Sequence, residues 1–259
     1  MTPVLAFDIE TVPDVAGIRK LFELPADLPD AEVAEVAFQK RRVASGNDFL
    51  QPHLQRVVVI SCVLRDDEGV RIFSLGEPDH VEKETIQRFF EGINKYVPQI
   101  VSWNGRGFDL PVLAARGLIH GVTAACFWDT GADNKDFRFS NYISRFHDRH
   151  LDLMDVLAMY QPRANAGLDA MARLCGFPGK IGMGGAEVAA AVAAGRLDDV
   201  RRYCECDVMN TYLVYQRFRL LRGELTETTY AAEIALARDK VTCSDAPHWR
   251  AFLDAWDGV

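Results

Sequence analysis

The chain has 259 residues with 29 basic and 37 acidic side chains, a formal net charge of −8 and 49% apolar residues, an ordinary globular composition that can bury a core without covalent staples. The acidic excess excludes a protein that coats long stretches of nucleic acid through a basic face, because phosphate affinity needs clustered Lys and Arg. It is compatible with an enzyme that grips a few nucleotides through metal ions.

In chain order, Val4 to Ile9 is a short apolar run that ends in acids, and Arg56 to Leu64 is β-branched and continuous enough for a strand buried on both faces. Between them, Pro13 to Gln55 carries Pro25, Pro29 and Pro52 and a predicted helix from Asp30 to Arg42, and reads as an insertion. The turn cluster Asp66-Asp67-Glu68-Gly69 leads to Val70–Leu75 as an antiparallel return strand. His80–Tyr96 has helical spacing, Gln99–Trp103 is a further strand, and Leu110, Val112, Leu113 and Leu118 predict a helix with Pro111 in its first turn. Gly131–Asp148 is polar, aromatic and basic without a period, a loop over a site or a flexible excursion. His150–Tyr160 recovers an apolar pattern, and Leu168–Leu174 and Glu187–Ala194 predict short helices. Asp198–Leu221 is the longest helix, with Val200, Tyr203, Val208, Thr211, Tyr212 and Tyr215 on its core face.

Antiparallel strands followed by alternating helices and strands predict an α/β fold, a mixed ribonuclease H-like sheet covered by helices. The chain divides into a domain over residues 1–222, with the 13–55 insertion, and a C-terminal helical extension over 223–259 that docks on the domain or binds a partner. No run reaches the roughly 18–20 apolar residues of a membrane span. The opening residues lack a basic region, Asp8 interrupts their apolar run, and the six cysteines form no C-x-x-C pair. Reduced thiols, no membrane and a cytoplasmic location are expected.

Asp8 and Glu10, two apart at the end of the first strand, project from one face. Such a pair resists joint ionisation unless a cation neutralises it, although a strand-end turn carries the same pattern. Asp109 stands where a strand hands over to a helix, either as an N-cap or as an acid brought to the crevice at the carboxyl ends of the strands. Tyr203 and Asp207 share a helix face, as would a core Tyr with an Asp on its rim.

Taken together and in order, D-x-E at 8–10, N-x-x-x-F-D at 104–109 and Y-x-x-x-D at 203–207 resemble the DEDD superfamily of 3′–5′ exonucleases in its Tyr-bearing form. The chain is most similar to the branch related to the proofreading exonuclease of family B DNA polymerases. Further matches are Asp8-Ile9-Glu10-Thr11-Val12-Pro13, Trp103-Asn104 with Phe108-Asp109-Leu110-Pro111, Arg149 to Asp155, and Gly167-Leu168-Asp169 followed by Gly176-Phe177-Pro178-Gly179-Lys180. Arg202 stands where a sister branch has His. The resemblance implies a two-metal phosphodiester hydrolase with Asp8, Glu10, Asp109, Tyr203 and Asp207 as catalytic residues. Asp8, Glu10 and Asp207 would hold the metal that carries the attacking water, Asp8 would bridge to a second metal reached by Asp109, and Tyr203 would orient the water. Hard carboxylate oxygens suit two divalent cations, Mg²⁺ or Mn²⁺. The expected substrate is the 3′ end of single-stranded or frayed DNA; the alternatives are an RNA-directed exonuclease and a non-catalytic module that binds nucleic-acid ends or a partner.

Trp103, Phe108, Phe137, Phe139, Tyr142 and Phe146 could stack on bases, against a core role for the first two. Lys135, Arg138, Arg145 and Arg149 could meet phosphates, against a role as solvated loop charge. Asn104, Phe108, Arg138, Tyr142 and Arg145 are the candidate substrate contacts. His147 and His150 fall outside the catalytic pattern, Asp152 and Asp155 are a second acidic pair with an open role, and Cys204 and Cys206 are expected to point away from the Tyr203–Asp207 face.

Overall fold

Five strands make one sheet in the computed structural model, which describes residues 2–77 and 81–258. They are β1 (Val4–Pro13), β2 (Gln55–Asp66), β3 (Gly69–Leu75), β4 (Gln99–Ser102) and β5 (His150–Asp152), in spatial order β3-β2-β1-β4-β5. β1, β2 and β3 form an antiparallel meander, whereas β4 and β5 run parallel to β1. This is the ribonuclease H-like arrangement that the order of elements predicts.

The helices are α1 (Val15–Leu21), α2 (Asp30–Ser45), α3 (Glu82–Tyr96), α4 (Asp109–His120), α5 (Ala125–Trp128), α6 (Leu153–Leu157), α7 (Leu168–Leu174), α8 (Val188–Ala193), α9 (Leu197–Leu221), α10 (Glu227–Thr242) and α11 (Pro247–Asp257). His80, expected to open the helix before β4, lies outside the described residues. Among the described residues, no helix is long and apolar enough to cross a membrane.

Strand alternation divides β1 between two cores. Leu5, Phe7 and Ile9 pack with Ile86, Phe89 and Ile93 of α3 and Val112 and Leu113 of α4, whereas Val4 and Ala6 pack with Val208, Met209 and Tyr212 of α9. Asp8 and Glu10 continue the second row, so the periodicity that buries Val4 and Ala6 under α9 aims both acids at the same helix. β1 runs on past them to Pro13, paired with β2, so the two acids lie in the strand's interior opposite Ser61 and Val59 and not at its end. The register slips between Glu10 and Thr11, a bulge of the kind that re-aims side chains.

The insertion has its own small core of Ile18, Val33, Ala37, Leu50 and Leu54. At the other end of the chain, Ala237, Val241, Trp249, Phe252 and Trp256 of α10 and α11 join the core built on α9 and β1. Burying each large side chain stabilises by about 1.5–3 kcal/mol, so these helices are packed elements of this core.

Candidate active site

β4 pairs with β1 only from Val4 to Ala6. Beyond Ala6 that edge of β1 is open, and the chain leaving β4 turns back to fill it. Asn104 takes a left-handed φ of 65°, and Gly105 passes so close to Ser102 that a Cβ would lie 2.3 Å from its hydroxyl oxygen. The buried Asp152 carboxylate, at the end of β5, accepts from the Asn104 and Arg106 backbone N–H groups at 3.0 and 2.9 Å. Pinned this way, the loop delivers Asp109 to the first turn of α4, where its Oδ1 accepts from the Ile9 N–H at 3.2 Å. The third acid of the sequence pattern thus bonds directly to β1 between the first two.

α9 supplies the rest. All six residues expected on its core face are buried, and Tyr203 and Asp207, one turn apart, look toward β1. A sixth group completes the cluster: Lys180 Nζ lies 2.6 Å from the Tyr203 hydroxyl and 3.2 Å from Asp207 Oδ2. Its presentation rests on Asn210, fully buried on α9, which bonds both sides of the Gly179 peptide unit, accepting from its N–H at 3.1 Å and donating to its carbonyl at 2.8 Å. Asp169 accepts from the Lys180 N–H at 2.7 Å. Lys180 stands in the sequence run that resembles the exonuclease branch, but nothing local marks it as part of the site; only the Asn210 clamp from a distant helix does.

The electrostatics are those of an anionic pocket short of positive charge. Burial, then repulsion from Asp109, Glu10 and Asp207, pushes Asp8 well above the carboxylate range. Glu10 is raised by burial and by Asp207. Burial lifts Asp109 to about 7 against the pull of its backbone hydrogen bonds, and lifts Asp207 despite Lys180. Lys180 moves up: burial opposes its charge, but Asp207, Asp8 and Glu10 more than offset that. Burial also raises Tyr203, so its phenol stays a proton donor. Among the described residues, Asp207 Oδ1 is buried with no hydrogen-bond partner. Four carboxylates against one ammonium, with one carboxylate oxygen unpartnered among the described residues, are an oxygen donor set that fits divalent cations.

Cys204 departs from the orientation that the sequence leads one to expect. It does not face away: its Sγ lies 3.7 Å from Asp8 Oδ2 and 3.5 Å from the Asp8 carbonyl oxygen. At 100° per residue, position 204 stands only about 60° from position 207 around the helix, on the same half.

The expected substrate contacts fare unevenly. Asn104 and Phe108 lie beside Asp109, both half-buried, with the Phe108 ring 5.2 Å from that of Phe49 in the insertion. Tyr142 is overturned as a stacking residue: it is fully buried, and its hydroxyl donates to the Pro98 carbonyl at 2.7 Å. Phe137 is likewise core, whereas Phe139 and Phe146 are exposed. Arg145 is held by Asp155 through two hydrogen bonds of 2.8 and 2.6 Å, and Arg138 reaches the Gly131 carbonyl, so each has a partner within the chain. The 131–148 stretch is anchored, since the Asp129 carboxylate gathers four successive backbone N–H groups from Gly131 to Asn134. His147 accepts from the Asn141 N–H, and His150 is buried against the Ser102 hydroxyl, with burial and Arg106 keeping it neutral. Asp152 and Asp155 thus have structural partners of their own.

Comparison with known proteins agrees with this geometry. A family model described as a predicted 3′–5′ exonuclease related to the exonuclease domain of PolB matches residues 47–256, a span that begins after β1. The catalytic polypeptide of DNA polymerase epsilon from Schizosaccharomyces pombe is 25% identical over 224 residues, which cover 83% of this chain and 9% of that protein. The family B DNA polymerase from the hyperthermophilic archaeon Pyrobaculum calidifontis shares the fold at a TM-score of 0.53 and 18% identity, covering 85% of this chain and 25% of that one. The chain therefore corresponds to a small part of each.

Proposed function

The chain belongs to the family of predicted 3′–5′ exonucleases related to the exonuclease domain of PolB, and from that premise we propose that it hydrolyses phosphodiester bonds from the 3′ end of single-stranded or frayed DNA with two divalent cations, Mg²⁺ or Mn²⁺. The observation that carries this reading is the convergence of Asp8, Glu10, Asp109 and Asp207, with Tyr203 and Lys180 beside Asp207 and, among the described residues, Asp207 Oδ1 left unpartnered.

Asp8, Glu10 and Asp207 would hold one ion, and Asp8 with Asp109 the other. Bound there, such ions activate water as a nucleophile and neutralise the charge that builds on the leaving oxygen. The chain's own groups do the positioning. The Lys180 ammonium donates to the Tyr203 oxygen and pairs with Asp207, so Lys180, Tyr203 and Asp207 hold one another, and the phenol would orient an attacking water. Lys180 also holds Asp207 Oδ2, so Oδ1 would be the oxygen left to meet a cation. Asp152, by tying down the 104–106 loop, holds Asp109 in place and is a positioning residue. Asn104 and Phe108, half-buried on the loop that presents Asp109, would be the side chains to meet the terminal nucleotide.

The test is digestion of a 5′-labelled single-stranded DNA and a matched RNA with Mg²⁺, Mn²⁺ or EDTA, beside Asp8→Asn. A metal-dependent ladder shortening from the 3′ end of DNA is expected, reduced by about 10³-fold in the variant, which loses the carboxylate shared by both ions. Faster digestion of RNA would transfer the activity to RNA; intact strands under every condition would refute it.

A further inference from the structure

The carboxylate pair on β1 has a neighbour of different chemistry. Ligand atoms of Asp8, Glu10 and Cys204 all lie within 4.8 Å of one another, and Cys204 Sγ is 3.7 Å from Asp8 Oδ2. Cys204 is fully buried on α9, so packing fixes its sulfur there. Zinc bonds of about 2.3 Å to sulfur and 2.0–2.2 Å to oxygen, at tetrahedral angles, separate a sulfur donor from a neighbouring oxygen donor by roughly 3.5–3.7 Å. The observed sulfur–oxygen distance matches that edge. A second, independent feature points to a ligand beside them: Asp207 Oδ1, on a residue 5% exposed, one turn along α9 and close enough to repel Asp8 and Glu10, has no hydrogen-bond partner among the described residues.

Magnesium takes oxygen donors, whereas thiolate sulfur selects softer ions such as zinc and cadmium. Resting on the metal reading above, we propose that Cys204 is a sulfur donor to the Asp8–Glu10 site, which therefore captures zinc or cadmium more tightly than magnesium or manganese. On capture the thiol proton passes to water and a metal–sulfur bond forms, with no change of oxidation state. The soft ion then occupies the place of the ion that supports cleavage, so zinc acts as an inhibitor.

The experiment titrates Cd²⁺ into the chelator-treated full chain and follows the ultraviolet charge-transfer absorption of a cadmium thiolate. Cys204→Ser and Cys204→Ala are compared in a Cys243→Ser background, because Cys243 is exposed, with circular dichroism as the check on folding. The parent chain should show the band at the first equivalent, and Cys204→Ser, Cys204→Ala and Asp8→Asn should each lose it. Losing a supporting group costs about 10–100-fold in metal affinity, so losing the sulfur should weaken Cd²⁺ binding by at least about 10-fold. Mn²⁺ binding should survive in the Cys204 variants. An unchanged band in either folded Cys204 variant, or a band that persists in Asp8→Asn, would overturn the proposal. The readout is independent of cleavage: a band without nuclease activity counts against the exonuclease reading alone, and activity without the band counts against the sulfur donor alone.

Discussion

Two regions of this molecule bury several carboxylates, and they settle the charge in opposite ways. Around Arg116, itself 2% exposed, Asp14 of the insertion and Glu82 of α3 meet one guanidinium, which bonds Glu82 through Nε at 2.8 Å and also donates to the His53 carbonyl at 3.1 Å. His120 adds a contact to Glu82 at 2.7 Å. Donors and acceptors there are matched within the chain, and the cluster ties the insertion to α3 and α4. Between β1 and α9, four carboxylates have raised pKa values, one lysine serves three of them, and among the described residues one buried oxygen has no partner. A buried ion cluster that closes on itself is architecture, and one that leaves negative charge open is suited to a cation supplied from solution.

Substitutions should separate the two regions sharply. Arg116→Met strands two buried carboxylates and should cost about 3–5 kcal/mol of stability in urea denaturation. Asp8→Asn should do the reverse in metal-free protein, stabilising by about 1–2 kcal/mol because a mutually repelling charge is removed. Equal destabilisation by both would erase the distinction.

Lys180→Gln sits between these cases. It should slow cleavage by about 10–100-fold through loss of the hold on Tyr203 and Asp207, while Mn²⁺ affinity does not fall, since a competing cation has gone. Loss of metal affinity and rate together would instead make Lys180 part of the scaffold.

A further difference lies in the pH dependence of stability. The four acids have folded pKa values above their unfolded ones, so their contribution is fully present below the unfolded carboxyl range near about 4. In metal-free protein it is lost as pH rises through the folded values, of which Asp109 is at about 7. The melting temperature of chelated protein should therefore fall between those limits, Mn²⁺ should reduce the fall, and Asp109→Asn should flatten it. A flat profile in the parent chain would contradict the raised values.

The same contrast explains what is legible in the sequence. Asp8 and Glu10 announce themselves because strand period puts them on one face, and Tyr203 and Asp207 because helix period does, so the acids can be proposed from spacing and motif order. The long core face of α9 and the order of the strands are readable for the same reason. Arg116 and Asp14 are 102 residues apart, and no local period connects them. Lys180 reaches the site only because Asn210 grips the backbone beside it. Tyr142 reads as a loop aromatic because its neighbours are polar, yet Asp129 pins the loop and turns the ring inward. Cys204 escapes a reading that treats a helix face as a line when it is an arc.

The most direct test of the open-charge account is calorimetric titration of Mn²⁺ into chelator-treated protein above neutral pH, parent chain beside Asp8→Asn. Saturable binding in the parent that Asp8→Asn abolishes is the predicted result. No saturable binding, or identical isotherms for the two proteins, would contradict the claim that these four acids form a metal site.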